Sequence, residues 1–339
     1  MSDIFYPVAH RSDEEIAALK KRYDHFDTKL IPAIVKEIGL IAESWTKPSS
    51  WGTSHVTYIV TVKGRVRPVV IRANIGHGEP ERYMLVEKLI TDEVATLGVP
   101  VNRILHVDIS RSRYPFDYQI QDALEGVDIE DHFHGRRIGY DQLSFDLGRY
   151  VAMWGDVSFE QFGRFDEDAV LDGKLIGTKQ SMYEYILVRL DEDLRFLVDA
   201  GIVTSPKADI VRKLFEEYKS VMSVKIGTLV QYDLADHNIM FDGKNTITGI
   251  YDWEAAVVGD PVLDLASAPT WKTFYPREKK LIEGYKSVRD LPNFFKEKMD
   301  IYRLRTMLWK MVYAIRAGIL TDDRKRKFEA ALEPFGINM

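Results

Sequence analysis

The sequence predicts an α+β fold of two unequal parts, a small β-rich N-terminal half followed by a larger, mainly helical one. Three observations carry this. Residues 55–62 place Val56, Tyr58, Val60 and Val62 at every second position, as a half-buried strand does. Residues 179–200, 205–221 and 300–317 space their apolar side chains three and four apart, as helices do. Finally, the helical half is interrupted at residues 229–254, LVQYDLADHNIMFDGKNTITGIYDWE, where acidic, amide and imidazole side chains crowd between two apolar stretches.

The elements follow in order. Arg11-Ser12-Asp13 opens a helix running to about Tyr23, and Leu30 to Leu40 gives a second short helix interrupted by Pro32, so residues 1–48 read as an N-terminal helical extension. Residues 49–124 form the β-rich part. Its first hairpin turns at Lys63-Gly64 and returns through Val69-Val70-Ile71. A helix carrying Tyr83, Val86, Leu89 or Ile90 and Val94 comes next and stops at Gly98, and strands follow at Val101 to Val107 and Tyr118 to Asp122. Residues 125–339 are the helical part. Tyr183, Leu190, Leu194 and Leu197 share one stripe ending at Gly201; Ser205-Pro206 then opens a helix bearing Ile210, Leu214, Tyr218 and Val221. Within the interrupted region, GTLVQ, IMF and TITGIYD read as strands, YDLADHN as a loop and DGKN as a turn.

Composition narrows the function. At 339 residues the chain is long enough for two lobes with separate cores. A net charge of −6 without a long single-sign block argues against a nucleic-acid or anionic-membrane partner and makes a cationic one easier to accommodate. The absence of cysteine excludes disulfides, thiolate chemistry and cysteine-ligated zinc. No run of 18 apolar residues occurs, and MSDIFYPVAHRSDEE lacks a basic segment leading into an apolar one, so the expected location is cytoplasmic.

A hairpin folds Asp252 back toward Asp233 and Asn238. Such a trio of oxygen donors suits magnesium-dependent phosphoryl transfer, in which a hard cation takes one or two protein oxygens and a further carboxylate receives the proton of the attacking hydroxyl. An Asp-x4-Asn pair by itself is more often a turn device, because both side chains bond nearby main chain. The order of the pieces decides otherwise: β-rich lobe, linker, helices, Asp-x4-Asn, hairpin, Asp. That order resembles the two-lobed protein-kinase-like fold.

More narrowly, VQYDLADHNIMFD and TGIYDWEAAVVGDPVLDLA resemble the aminoglycoside phosphotransferase family, which includes choline-kinase-like relatives. The family's pattern runs His-Gly-Asp-Leu-x-x-x-Asn-Ile-Leu, then Ile-Asp-Trp-Glu, then Gly-Asp-Pro-x-x-Asp-Leu-Ala. The resemblance implies Asp233 as catalytic base, Asn238 and Asp252 as magnesium ligands and Asp264 as the brace of the catalytic loop. It further implies ATP, or GTP, as co-substrate and a small hydroxyl compound as acceptor. An aminoglycoside is the first expectation; choline, homoserine, a sugar or a macrolide are the alternatives, as is a non-catalytic nucleotide-binding module. Gly52, Thr53 and Ser54 would cover the nucleotide phosphates. Arg72 stands where the family's strand lysine holds them, with Glu87 as its ion-pair partner and Glu93 as second choice. Asp122, Ala123 and Leu124 would offer main chain to the base. Glu254 and Trp271 would face the acceptor. The chain departs from the family at Gln231-Tyr232, where His-Gly is usual, and at Met153-Trp154, where Leu-His is usual. His237 reads as a loop-packing or solvent-facing side chain.

Overall fold

The computed structural model describes residues 14, 17, 21–48, 55–75, 82–129, 139–271 and 275–338. Its N-terminal lobe opens with a short helix, α1 (Ile31–Lys36), and strands β1 (Ala42–Thr46), β2 (Val56–Val62) and β3 (Val69–Asn74). Helix α2 (Tyr83–Thr96) follows, then β4 (Ile104–Asp108) and β5 (Asp117–Asp122). The five strands form one antiparallel sheet in the order β1-β2-β3-β5-β4. Alternation along β2 buries Val56, Tyr58, Val60 and Val62, which pack with Phe26, Ile31, Ile34 and Val35 into the lobe's own core. Toward α2 the contact is polar instead. Gln119 donates to Glu87 and to Gln121, and Asn102 also donates to Gln121, all buried. The apolar face of α2, with Val86, Ile90 and Val94, belongs to the core of the other lobe.

The C-terminal lobe begins at β6 (Val127–Asp128) and continues through α3 (Tyr140–Trp154), β7 (Ser158–Phe159), β8 (Phe162–Phe165), α4 (Glu167–Leu171) and β9 (Gly177–Lys179). Helices α5 (Met182–Ile186), α6 (Leu190–Asp199) and α7 (Ser205–Glu217) precede β10 (Gly227–Val230), β11 (Ile239–Phe241), β12 (Ile247–Ile250) and β13 (Val257–Gly259). Then come α8 (Val262–Ser267), α9 (Glu278–Lys286), α10 (Phe295–Arg316) and α11 (Asp322–Leu332). Nearly every residue of α10 from Leu304 to Val312 is buried, which makes it the central helix of this lobe. Among the described residues no helix is long and apolar enough to cross a membrane.

The linker is pinned by geometry. Gly126 has φ +105, and a Cβ there would lie 2.1 Å from the Phe241 carbonyl oxygen, so only glycine lets the chain pass. Beyond it β6 joins β11 and β12 in a three-stranded sheet, which ties the linker to the hairpin that carries Asp252.

Four expectations change. The stretch expected as a helical extension contains strand β1, which adds to the sheet edge opposite β4; in the segment expected as helix up to Tyr23, the described Glu14 and Ala17 are helical, and a 3-10 turn, Arg22–His25, stands at its end. Pro32 sits in the first turn of α1, where its missing N–H costs nothing, and so starts the helix rather than interrupting it. The stripe from 179 to 200 is two helices, because Arg189 takes φ +55 between them. The exposed carbonyls of that break are taken by the buried Arg305, which donates to Ile186 O, Val188 O and Asp193. Finally, the helical half holds a second sheet, β7-β10-β13-β8-β9, built from strands of two to four residues.

Candidate active site

The catalytic-loop candidate leaves β10 at Val230 and rejoins the hairpin at Ile239. Its shape is held by one buried carboxylate. Asp264 accepts the Gln231 N–H at 3.0 Å, the Tyr232 N–H at 2.7 Å and the Trp154 indole N–H at 3.0 Å. Burial pushes its pKa up to about 6, while the two main-chain donors and Trp154 act the other way. The two departures from the family pattern therefore meet here: Trp154 supplies a donor to Asp264, and Gln231-Tyr232 supply the main chain it holds.

Gln231 does more with its side chain. Fully buried, it accepts the Asp233 N–H through Oε1 at 2.7 Å and donates from Nε2 to the Asp252 carbonyl at 3.0 Å. One amide thus fixes the base candidate and the end of the returning strand relative to each other. Tyr232 is buried at φ +69, and its hydroxyl accepts the Trp309 indole N–H at 2.6 Å. A glycine would reach this conformation without strain; the tyrosine is held in it by α10.

Asp233 is 7% exposed. Burial raises its pKa, opposed by the positive charge of His237 and Lys310 and reinforced by Glu254. Asn238 donates from Nδ2 to the Asp233 carbonyl at 3.0 Å, which leaves its amide oxygen as the atom able to face a cation. The hairpin ladder pairs Ile239 with Ile250, and Tyr251 N–H bonds to Asn238 O at 3.1 Å, so Asp252 arrives beside Asn238. Asp252 lies at φ +63, and burial, then the nearby Glu254, lift its pKa to about 7 against the pull of Arg72. These donors are carboxylate and amide oxygens, and among the described residues no cluster of three His, Cys, Asp or Glu forms a closed metal cage. The set fits a hard divalent cation that keeps its remaining positions for phosphate oxygens and water, as magnesium does.

Above the site Arg72 ties the lobes together. It bonds Glu87 through both carboxylate oxygens, at 2.9 and 2.7 Å, and Asp252 at 2.9 Å. Burial works against its charge, but Glu87, Asp252 and Glu254 outweigh it and the pKa is raised. Glu93, the second-choice partner, is exposed elsewhere on α2. Two other expectations shift. Glu254 turns toward the N-terminal lobe, where it bonds His55 Nε2 at 2.7 Å and approaches Arg72 at 3.5 Å, rather than toward an acceptor. In the linker, Asp122 N–H already bonds Arg103 O and Ala123 N–H bonds Pro68 O, so of the three residues expected to meet the base only Leu124 keeps its N–H unengaged in these pairings. Gly52, Thr53 and Ser54 lie outside the described residues.

Trp271 packs edge-on against His237, with ring centroids 6.1 Å apart, and against Trp309 at 6.2 Å. Sequence reasoning missed its neighbour Lys310, fully buried in α10, with Nζ 3.3 Å from the Trp271 ring centroid and bonded to Thr270 Oγ1 at 2.6 Å. The available signal was a lone lysine inside the apolar run MLWKMVYA. His55 was also missed; it stands at the start of β2, where strand alternation drew attention to its neighbours.

Residues 228–290 match the family model described as the phosphotransferase enzyme family, APH. No curated protein sequence matches the chain. Among solved structures, a thermostable mutant of aminoglycoside phosphotransferase APH(4)-Ia in its apo form is similar at a TM-score of 0.64 and 17% identity, covering 89% of this chain and 98% of that one. The GDP and kanamycin complex of APH(2")-IIIa is similar at 0.59 and 15%, covering 91% and 100%. The streptomycin-ATP ternary complex of APH(2")-IIa is similar at 0.55 and 14%, covering 91% and 96%. The fold is therefore that of the protein-kinase-like aminoglycoside kinases.

Proposed function

We propose, from this shared fold and the phosphotransferase match over the catalytic loop and hairpin, that the protein transfers the γ-phosphoryl group of ATP, or GTP, to a hydroxyl of a small molecule. The observation that carries the reading is the Gln231 side chain, which bonds the main chain of both Asp233 and Asp252 and so locks a base candidate beside a cation-ligand candidate. A turn device has no need of that link.

In this reading the nucleotide lies between the lobes, with its phosphates toward Arg72. Asn238 and Asp252 would hold magnesium, which when bound neutralises phosphate charge and orients the nucleotide for in-line attack. Asp233 accepts a hydrogen bond from the acceptor hydroxyl, orients its oxygen toward the γ-phosphorus and receives its proton as the new P–O bond forms and the bond to the β-phosphate oxygen breaks. Asp264 and Gln231 fix where that carboxylate points. Glu87 keeps Arg72 charged and aimed. The aminoglycosides bound by the structural neighbours make compounds of that kind the first acceptors to test.

Asp233→Ala should leave nucleotide binding intact and lower turnover by about 10²- to 10⁴-fold. Steady-state ADP release across an acceptor panel, with nucleotide affinity measured in parallel, checks it; turnover close to wild type removes Asp233 from this role. Magnesium-dependent turnover abolished by Asp252→Ala would separate an enzyme from a nucleotide-binding module.

A further inference from the structure

Beside the loop that carries Asp233, basic side chains gather. Three cations surround one indole: Lys310 Nζ lies over the Trp271 ring at 3.3 Å, the Arg324 guanidinium carbon is 5.9 Å from its centroid, and Lys327 Nζ donates to the Trp271 carbonyl at 3.2 Å. Asp323 pairs with Lys327 at 3.1 Å, and Asp233 attracts Lys310. Burial, then Arg324, push the Lys310 pKa down while Asp233 holds it up, as expected when like charges are crowded out of water.

Two donors in this cluster are unmade. Arg324 Nη1 and Trp271 Nε1 are both shielded from solvent, and neither has a hydrogen-bond partner among the described residues. An unmade buried donor costs about 1–3 kcal/mol, and folded proteins rarely carry one without a use for it. Both groups can only donate, as can the Lys310 ammonium. A ligand group seated here must accept hydrogen bonds, and an ammonium would meet the positive charges of Arg324 and Lys327. The planar guanidinium suits a carboxylate or phosphate in particular. His237, packed on Trp271, belongs to the same loop as Asp233, so a small molecule seated at the indole has its other end within that loop's reach.

We propose that the phosphoryl acceptor carries a carboxylate or phosphate group, bound by Arg324 and the Trp271 indole N–H, with its hydroxyl presented to Asp233. The inference rests on the phosphotransfer reading and departs from its first acceptor class: this site selects for a hydroxyl compound with an acidic group in place of the polycationic compounds that the structural neighbours bind.

The test measures ADP release by the full-length protein with magnesium and ATP. D-glycerate and D-gluconate supply the carboxylate arm, glucose 6-phosphate the phosphate arm, glycerol and glucose the neutral counterparts, and kanamycin the cation. An anionic acceptor should exceed its neutral counterpart in kcat/KM by about 10- to 100-fold, the value of a hydrogen bond to a charged group. Arg324→Gln should erase that preference through KM with kcat largely kept, and Arg324→Lys should restore part of it. Better turnover of kanamycin, indifferent to Arg324→Gln, overturns the inference and leaves phosphotransfer standing. Turnover of no anionic acceptor also overturns it, and failure to bind magnesium-ATP at all sinks the underlying reading instead.

Discussion

Tyr232 occupies a left-handed backbone conformation, φ +69, that costs a residue other than glycine about 1–3 kcal/mol. The hydrogen bond from Trp309 and complete burial of the ring offset that cost. Tyr232→Phe should therefore destabilise by about 1–3 kcal/mol, because the Trp309 N–H is left buried without an acceptor. Tyr232→Gly relieves the strain yet empties a ring-sized volume, and should cost more than the Phe variant in urea unfolding. Asp264 makes a sharper case. Both of its oxygens accept N–H groups, so an asparagine in either orientation turns an NH₂ toward a donor. Asp264→Asn should lose about 1–3 kcal/mol despite its identical shape. The pH dependence has a definite sign. A folded pKa raised to about 6 means that the native state holds the proton more tightly than the unfolded chain, so this group's contribution to stability falls as pH rises from about 4 through about 6, then levels. The wild-type advantage over Asp264→Asn should shrink over that range, and an advantage that grows instead would contradict the assignment.

Between α5 and α6 the chain gives up helical continuity, and Arg305 of α10 takes the carbonyls this exposes while pairing with the buried Asp193. Burial raises the Asp193 pKa and Arg305 restrains it. Removing only the cation, in Arg305→Ala, should cost about 3–5 kcal/mol, since it strands a buried carboxylate. Arg305→Met combined with Asp193→Leu should recover much of that loss, and chemical unfolding of the single and double variants measures the recovery. This break also shows what sequence could and could not reveal. The apolar stripe runs through Tyr183, Leu190 and Leu194 without a gap, and the partner that makes a break tolerable lies more than a hundred residues away. Strands such as Ser158–Phe159 are too short to show alternation at all. By contrast, β2 and β3 and the Asp-Gly-Lys-Asn hairpin were legible, because their turns and periods are local. The convergence of Asp233, Asn238 and Asp252 followed from that hairpin alone, whereas Glu87 as the partner of Arg72 came only from the resemblance. Lys310 did not, since its partners Thr270 and Trp271 reach it only through tertiary packing.

Across the whole molecule, the cleft groups are held by links between lobes: Arg72 to Asp252, His55 to Glu254, and Gln231 behind them. A ligand that binds there stabilises both lobes at once. Magnesium-ATP at about 100 times its Kd should add about 2.7 kcal/mol to unfolding by mass action, seen as a single shifted transition in calorimetry. A shift confined to one of two separate transitions would mean that the lobes unfold independently. One earlier detail bears on how such proteins can be recombined. Helix α2 is encoded between two strands of the N-terminal sheet, yet its apolar residues Val86, Ile90 and Val94 are packed in the other lobe's core. A chimaera joined at residue 124 would give the incoming C-terminal lobe a foreign helix across its core and hand α2 a surface it was not shaped for. Exchange of nucleotide lobes between relatives would then succeed only when residues 83–96 travel with the C-terminal half, so the functional seam of this protein crosses its sequence three times instead of once.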